Sequence, residues 1–425
     1  MKTIEKPILV SAKIYIVAEK LWKVALFGPD NYQAAVISHY VKTKEKKLKK
    51  PAIAFAKELL TGYFEENEIS NAVAEQALQY LIKFNDDIPF PTPPKPKFKF
   101  IDLFAGIGGF RLAMQNLGGE CVFSSEWDKE AQKTYYANFG EIPFGDITKE
   151  ETKKWIPKEF DVLCAGFPCQ AFSIAGKRGG FNDTRGTLFY DVAEIIRRHK
   201  PKAIFLENVK GLVSHDKRKT LETILYVLRE ELKYYVPDPE ILNAKYFGVP
   251  QNRERIFIVG FKKELGVKDF EYPEQKEITA AVEDILEKKV VNAKYYMSTQ
   301  YLKTLVEHKA RHESKGNGFG YEILNKDGVA NAIVVGGMGR ERNLVIDKRL
   351  KNFTPTTKIK GEVNREGVRR LTPREWARLQ GFPDHYVIDK VADASAYKQF
   401  GNSVAVPAIQ ATAELVIEKI QKHLK

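Results

Sequence analysis

Cys169 stands in the run "CAGFPCQAFS" (164–173), directly behind Phe167-Pro168. A cysteine in such a place is a small buried hydrophobe, a metal ligand, half of a disulfide or a nucleophile. The chain holds three cysteines, Cys121, Cys164 and Cys169, an odd number that argues against a disulfide framework. Its seven histidines are scattered, and none lies at zinc-like spacing from Cys164 and Cys169. The core thiol and the nucleophile remain open. Cys164 lies inside the apolar run "FDVLCAGF" and reads as core. Cys169 differs, because the chain after it turns polar, basic and glycine-rich in "SIAGKRGGFNDTRGT" (173–187), a loop suited to closing over a polyanion.

Other stretches carry complementary chemistry. In "DLFAGIGGF" (102–110), Gly106 and Gly108 let the backbone turn tightly between a strand and a helix and approach a ligand. The third glycine of a dinucleotide fingerprint is missing, since Arg111 stands three past Gly108, which disfavours a nicotinamide-dependent oxidoreductase. Glu126, at the end of the next strand, suits a pair of ribose hydroxyls, and Trp127 beside it an adenine face. Asp146, in "FGDIT" after a third expected strand, can accept from an exocyclic amine. Each acid alone reads equally well as a solvated strand end. Ordered together, they imply an adenosine-bearing cofactor without saying which.

"FLENV" (205–209) sets Glu207 and an amide at the end of a further buried strand. "PQNRERIFIVGF" (250–261) places Gln251, Arg253 and Arg255 at the start of another, with the two arginines on one face by alternation. Taken alone, they would simply pair with Glu207 or Glu254. "QFGNSVAVP" (399–407) reads as a turn before the last helix.

The elements that must carry these residues are legible in outline. From residue 99 onward, strands such as "FKFIDLF", "CVFSSEW", "FDVLCAGF", "AIFLENV" and "RIFIVGF" alternate with helices. Asp128 and Thr372 are expected helix N-caps, Gly118-Gly119 and Pro201 helix stops. Such alternation implies an α/β fold: a mostly parallel, Rossmann-like sheet with helices on both faces. Residues 1–95 read as a mainly helical N-terminal extension, with the lysine run "VKTKEKKLKK" (41–50), closed by a Pro-rich linker around "DDIPFPTPPKPKFKF" (86–100). Residues 96–264 form the expected catalytic domain, and 265–365 an irregular small domain with "KGNGFGY" (315–321) and "VVGGMGRERNLV" (334–345). Residues 366–425 complete the catalytic domain.

Composition narrows the class of partner. Lys and Arg total 68 against 55 Asp and Glu, a formal charge of +13 over 425 residues, which hints at a polyanionic partner. No run approaches the roughly 18 apolar residues of a membrane span. The charged N-terminus is not that of a signal peptide, so a cytoplasmic protein is expected.

"DLFAGIGGF", "GFPCQAFS", "ENV", "QNRERIFIVGF", "LTPREWARLQGFP" and "QFGNSV" together resemble the ordered motifs of the DNA cytosine-5 methyltransferase family, from residue 99 to about 420. The resemblance excludes the first 95 residues and reaches 265–365 by position only, as the target-recognition domain. The N-terminal extension and "KGNGFGY" look most like the bacterial restriction–modification branch that has such extensions. It implies S-adenosylmethionine as cofactor, duplex DNA as partner, a cognate restriction endonuclease in the same system, no membrane, and a monomer associated with the nucleoid.

It also implies roles. The Cys169 thiolate would add to carbon 6 of a flipped-out cytosine, with Glu207, Arg253 and Arg255 completing the catalytic set. Glu207 would contact ring nitrogen 3 and the exocyclic amine. Carbon 5 would then take the sulfonium methyl, and loss of its proton would release Cys169. Phe104, Gly106, Gly108, Glu126, Trp127, Asp146, Pro168, Leu188, Asn402 and Ser403 would hold the cofactor. Gln170, Ser173, Lys177, Arg178, Gln251, Arg340 and Arg342 would touch DNA, the last two from "GGMGRERN" (336–343). A tRNA cytosine-5 methyltransferase on the same scaffold is the rival reading, disfavoured by the size of the 265–365 segment. A catalytically silent DNA-binding relative is disfavoured by intact Cys169, Glu207 and Arg253.

Overall fold

A computed structural model describes residues 14–21, 31–61, 63–64, 69–84, 88–168, 188–277, 280–318, 320–336, 340–354 and 361–424. A helical stretch over 14–21 precedes α1 (Asn31–Thr43), α2 (Lys46–Thr61) and α3 (Asn71–Phe84). Then follow β1 (Phe98–Leu103), α4 (Gly109–Asn116), β2 (Gly119–Ser125), α5 (Lys129–Phe139), β3 (Val162–Ala165), α6 (Leu188–His199), β4 (Ala203–Val209) and α7 (Lys219–Tyr226). β5 (Tyr234–Tyr235), β6 (Glu240–Asn243) and β7 (Glu254–Lys262) complete a seven-stranded sheet.

Its order is β2-β1-β3-β4-β7-β5, with β6 also paired to β7. The pairs β1/β2, β1/β3 and β3/β4 are parallel, as the βα alternation requires. β7 runs antiparallel to β4, β5 and β6, so the expected mostly parallel sheet holds only for its first four strands. An apolar run fixes burial but not direction, which is why "RIFIVGF" gave no sign of reversal.

Each central strand is buried on both faces. Phe100, Cys164 and Phe205 point into one core with α4 and α5; Ile101, Leu163 and Ile204 point into the other with α6. The second core continues into α1, α2 and α3 through Val36, Tyr40, Ala56 and Ala74. The N-terminal helices therefore share a core with the sheet. The proline-rich stretch also docks: Phe90 N–H donates to the Asn138 carbonyl at 3.0 Å, and its ring stacks on His385 at 4.8 Å.

The later segment contains α8 (Thr299–Glu313), a 15-residue helix within a stretch read as irregular. Ser298 caps it, accepting from Tyr301 N–H at 3.1 Å. β8 (Leu344–Ile346) pairs antiparallel with β9 (Val368–Arg370). α9 (Pro373–Leu379), α10 (Asp393–Asn402) and α11 (Val406–Ile420) follow, α11 packing on α4. The expected caps form. Asp128 accepts from Glu130 N–H at 2.9 Å, and Thr372 with Glu375 makes a reciprocal capping box.

Candidate active site

The carboxyl ends of β1, β2, β3 and β4 surround one cavity of about 790 Å³. This is the edge at which open α/β sheets bind ligands. The loop after β1 shapes its floor. Phe104 (φ 57°), Gly106 (φ 55°) and Gly108 (φ 84°) all take left-handed backbone, so the chain turns within five residues. A positive φ at a phenylalanine is strained and marks a position held by its surroundings. A side chain at Gly106 would meet nothing within 4 Å, so this backbone is open to a ligand. Gly108 differs, and does not line the cavity. A Cβ there would come within 2.3 Å of the Phe139 ring, so this glycine permits close packing behind the loop.

Glu126 faces that loop from the end of β2. One carboxylate oxygen accepts from Gly106 N–H at 2.8 Å and the other from Asp128 N–H at 2.7 Å. Burial pushes its carboxyl up, opposed by these backbone donors. Trp127, next to it, is 77% exposed and presents its indole to the cavity, an arrangement that can stack on a planar base. Asp146 also lines the cavity, but not from a strand end. After β2 only a single parallel bridge forms, Ser125 with Phe144. Asp146 sits in a connection, accepting from Thr148 N–H at 2.9 Å, and the Glu126 carbonyl that a longer ladder would use accepts from Gln132 Nε2 instead.

β3 delivers Gly166, Phe167 and Pro168 to the cavity. Asn208 Nδ2 donates to the Phe167 carbonyl at 2.9 Å, tying this stretch to the end of β4. Cys169, Gln170, Ser173, Lys177 and Arg178 lie outside the described residues. Cys164 is fully buried and its thiol is pushed up by desolvation, consistent with a core residue.

Glu207 lines the cavity from β4, with one oxygen 3.1 Å from Arg255 Nε. Burial raises its carboxyl above the ordinary value, against the opposing pull of Arg255 and Arg253. The two arginines part company. Arg255 is the ion-pair partner of Glu207, while Arg253 is buried and donates to three backbone carbonyls: Ile333 at 2.9 Å, Gly401 at 3.1 Å and Ser403 at 2.6 Å. Desolvation, then repulsion from Arg255, pushes the Arg253 guanidinium down to about 9. It clamps the 333 segment to the end of α10, where Asn402 and Ser403 reach the cavity, so the stretch read as a turn is helical up to Asn402. Leu188, at the start of α6, lines it too.

Gln251 is not on a DNA-facing surface. It is fully buried, donates to the Leu379 carbonyl at 2.8 Å and accepts from Ile333 N–H at 3.0 Å. Its expected DNA contact is corrected to a structural tie. Gln380 is a further member that sequence reasoning missed, donating to the Phe400 carbonyl at 2.7 Å. A glutamine at a helix end gives no sequence signal of such a role. Arg340 and Arg342 are exposed, Arg340 with its guanidinium 5.3 Å from the Tyr397 ring centre.

A cleft at the strand ends with an open glycine turn, an exposed tryptophan, and a buried acid paired to arginine fits transfer chemistry on a nucleoside-bearing ligand. Residues 98–418 match the model of the C-5 cytosine-specific DNA methylase family. The chain belongs to that family. This methylase is 71% identical to the Type II methyltransferase M.HpaII of Haemophilus parainfluenzae over 350 residues, covering 82% of this chain and 97% of that protein. It is 42% identical to the Type II methyltransferase M.HhaI of Haemophilus parahaemolyticus over 320 residues, covering 73% of this chain and 92% of that protein. A solved structure of the S. pombe Dnmt2 methyltransferase shares the fold at a TM-score of 0.58 and 19% identity, covering 76% of this chain and 99% of that one. The methylase is thus a DNA cytosine-5 methyltransferase. Its family uses S-adenosylmethionine in general.

Proposed function

We propose that this methylase moves the methyl group of S-adenosylmethionine to carbon 5 of a cytosine flipped out of a short specific duplex site, as the protective half of a restriction–modification system. The observation carrying this reading is the convergence of Glu207, Arg255, the Gly106 turn, Glu126 and Trp127 on one cavity. The relatives named Type II methyltransferases support it. S-adenosylmethionine supplies an electrophilic methyl group on a sulfonium. The residues present fit its nucleoside portion: Gly106 leaves open backbone, Glu126 offers carboxylate oxygens, and Trp127 offers a ring face. Glu126→Ala is expected to weaken S-adenosylmethionine by about 1.5–3 kcal/mol, the range for hydrogen bonds to a charged group. Calorimetry showing unchanged affinity would remove Glu126 from the site.

On the substrate side, Cys169 adds to carbon 6, making carbon 5 nucleophilic. Glu207, whose carboxyl burial raises, can hand a proton to ring nitrogen 3, and Arg255 fixes its orientation. Loss of the carbon 5 proton then expels the thiolate. Residues 96–264 and 366–425 form the catalytic domain and 265–365 the target-recognition domain. A cytoplasmic location with nucleoid association, a monomeric state and a partner endonuclease belong to the same reading.

Arg340 and Arg342 read bases in the major groove. Arg340→Ala or Arg342→Ala is expected to relax methylation at one position of the site, each bidentate contact carrying roughly 1–3 kcal/mol of discrimination. Profiling across a randomised site library distinguishes this from phosphate contact, which would weaken all sites alike and lower the salt slope by about one. An unchanged profile and salt dependence in both variants would remove the loop from the DNA interface. Incubation with labelled S-adenosylmethionine and either duplex DNA or RNA tests the function as a whole. Label entering RNA alone would overturn it.

A further inference from the structure

Glu141 is a buried carboxylate just past the end of α5, and three basic side chains converge on it. Arg111 Nη1 approaches from α4 at 2.6 Å. Lys42 Nζ at 2.8 Å and His39 Nε2 at 3.7 Å both come from α1. Lys42 also donates to the Phe139 carbonyl at 2.9 Å, and Ser38 Oγ accepts from Ile142 N–H at 2.9 Å. Positions 38, 39 and 42 share a helix face, so α1 grips residues 139, 141 and 142 with one surface.

That stretch supports two sides of the cavity. The Phe139 ring packs where a Gly108 side chain would be, and the Arg111 guanidinium lies 4.6 Å from the same ring. Farther on, the His39 ring lies 4.9 Å from the Phe144 ring. The Phe144 carbonyl accepts from Glu126 N–H at 2.7 Å, two residues before Asp146. The glycine turn on one side and Glu126 with Asp146 on the other therefore rest on one support. Burial pushes the Glu141 carboxyl up, but Arg111 and Lys42 override it and hold it well below the usual carboxylate range. The family match begins at residue 98, so the gripping face of α1 lies outside it.

We infer that α1 is the back wall of the cofactor site and that Lys42 is a positioning residue for S-adenosylmethionine binding. The inference rests on reading the cavity as the S-adenosylmethionine site. It assigns α1 a part in cofactor binding by this chain: without the Lys42 ammonium, Glu141 and the Phe139 carbonyl lose their shared donor, and the turn at Gly108 loses its fixed backing.

The test uses the full chain as wild type, Lys42→Met and Lys42→Arg, with S-adenosylmethionine titrated by calorimetry and duplex DNA by fluorescence anisotropy. Lys42→Met is expected to weaken S-adenosylmethionine about tenfold and raise its KM, with kcat at saturation and DNA affinity within about twofold of wild type. Lys42→Arg should restore most of the affinity, because it keeps a donor and a charge. A folded Lys42→Met with unchanged cofactor affinity, whatever its Tm, would overturn the inference and leave the ion cluster a matter of stability alone. If Lys42→Met does not fold, Ser38→Ala carries the test: a roughly threefold loss of cofactor affinity supports the inference and no loss overturns it. Wild type that binds no S-adenosylmethionine would instead overturn the reading of the cavity, and the inference with it.

Discussion

Changing Cys169 to Ser is expected to abolish methyl transfer while leaving S-adenosylmethionine binding near normal. A serine hydroxyl at neutral pH is a far weaker nucleophile than a thiolate, and without addition at carbon 6 the cytosine ring has no reactive carbon 5. Acid–base assistance by the remaining groups supplies only about 10²–10⁴-fold. Turnover in Cys169→Ser above roughly a thousandth of wild type, measured with labelled cofactor at saturating DNA, would therefore argue against covalent addition. In the proposed reading the nucleoside portion of the cofactor rests on Gly106, Glu126 and Trp127 rather than on Cys169, so calorimetry should show its affinity unmoved by this change.

Glu207→Gln is the second large effect. The carboxyl sits at the end of β4, is raised by burial, and lies 3.1 Å from Arg255 Nε. An amide of the same shape keeps the packing but cannot hand a proton to ring nitrogen 3. Loss of one general acid–base group removes about 10²–10⁴-fold in kcat, with cofactor affinity unchanged. Because the folded carboxyl keeps its proton to a higher pH than a free one, wild-type kcat should fall as pH rises through that raised value. Glu207→Gln should lack this limb of the profile. A loss smaller than about tenfold with the limb intact would assign proton transfer to another group.

Much of this was legible in the sequence, for physical reasons that also mark where legibility ended. The strands that lead to Pro168 and carry Glu207 are apolar runs because both faces are covered, so their ends could be located to within a residue or two. The glycine turn was legible because only glycine tolerates such backbone so readily, although Gly106 and Gly108 serve different ends: one faces the cavity and the other the Phe139 ring. Asp146 was placed at a strand end, but the bridge of Phe144 to Ser125 does not extend into a strand, because the neighbouring Ile142 N–H and Glu126 carbonyl bond to Ser38 and Gln132 instead. Gln251 and Arg253 share a motif with Arg255, yet their side chains turn to backbone carbonyls across the chain, and no local pattern encodes such distant partners. The same limit hid the docking of α1, since an amphipathic helix states that it is covered and not by what.

The most direct measurement is covalent capture. Duplex DNA carrying 5-fluorocytosine in the methylated site, incubated with the enzyme and S-adenosylmethionine, cannot lose fluorine from carbon 5 and so holds the enzyme on carbon 6. A denaturing gel should show a stable protein–DNA adduct with wild type, with peptide mapping assigning the bond to Cys169, and no adduct with Cys169→Ser. An adduct that persists in Cys169→Ser, or wild type that methylates ordinary DNA yet never forms the adduct, would contradict covalent catalysis by this cysteine.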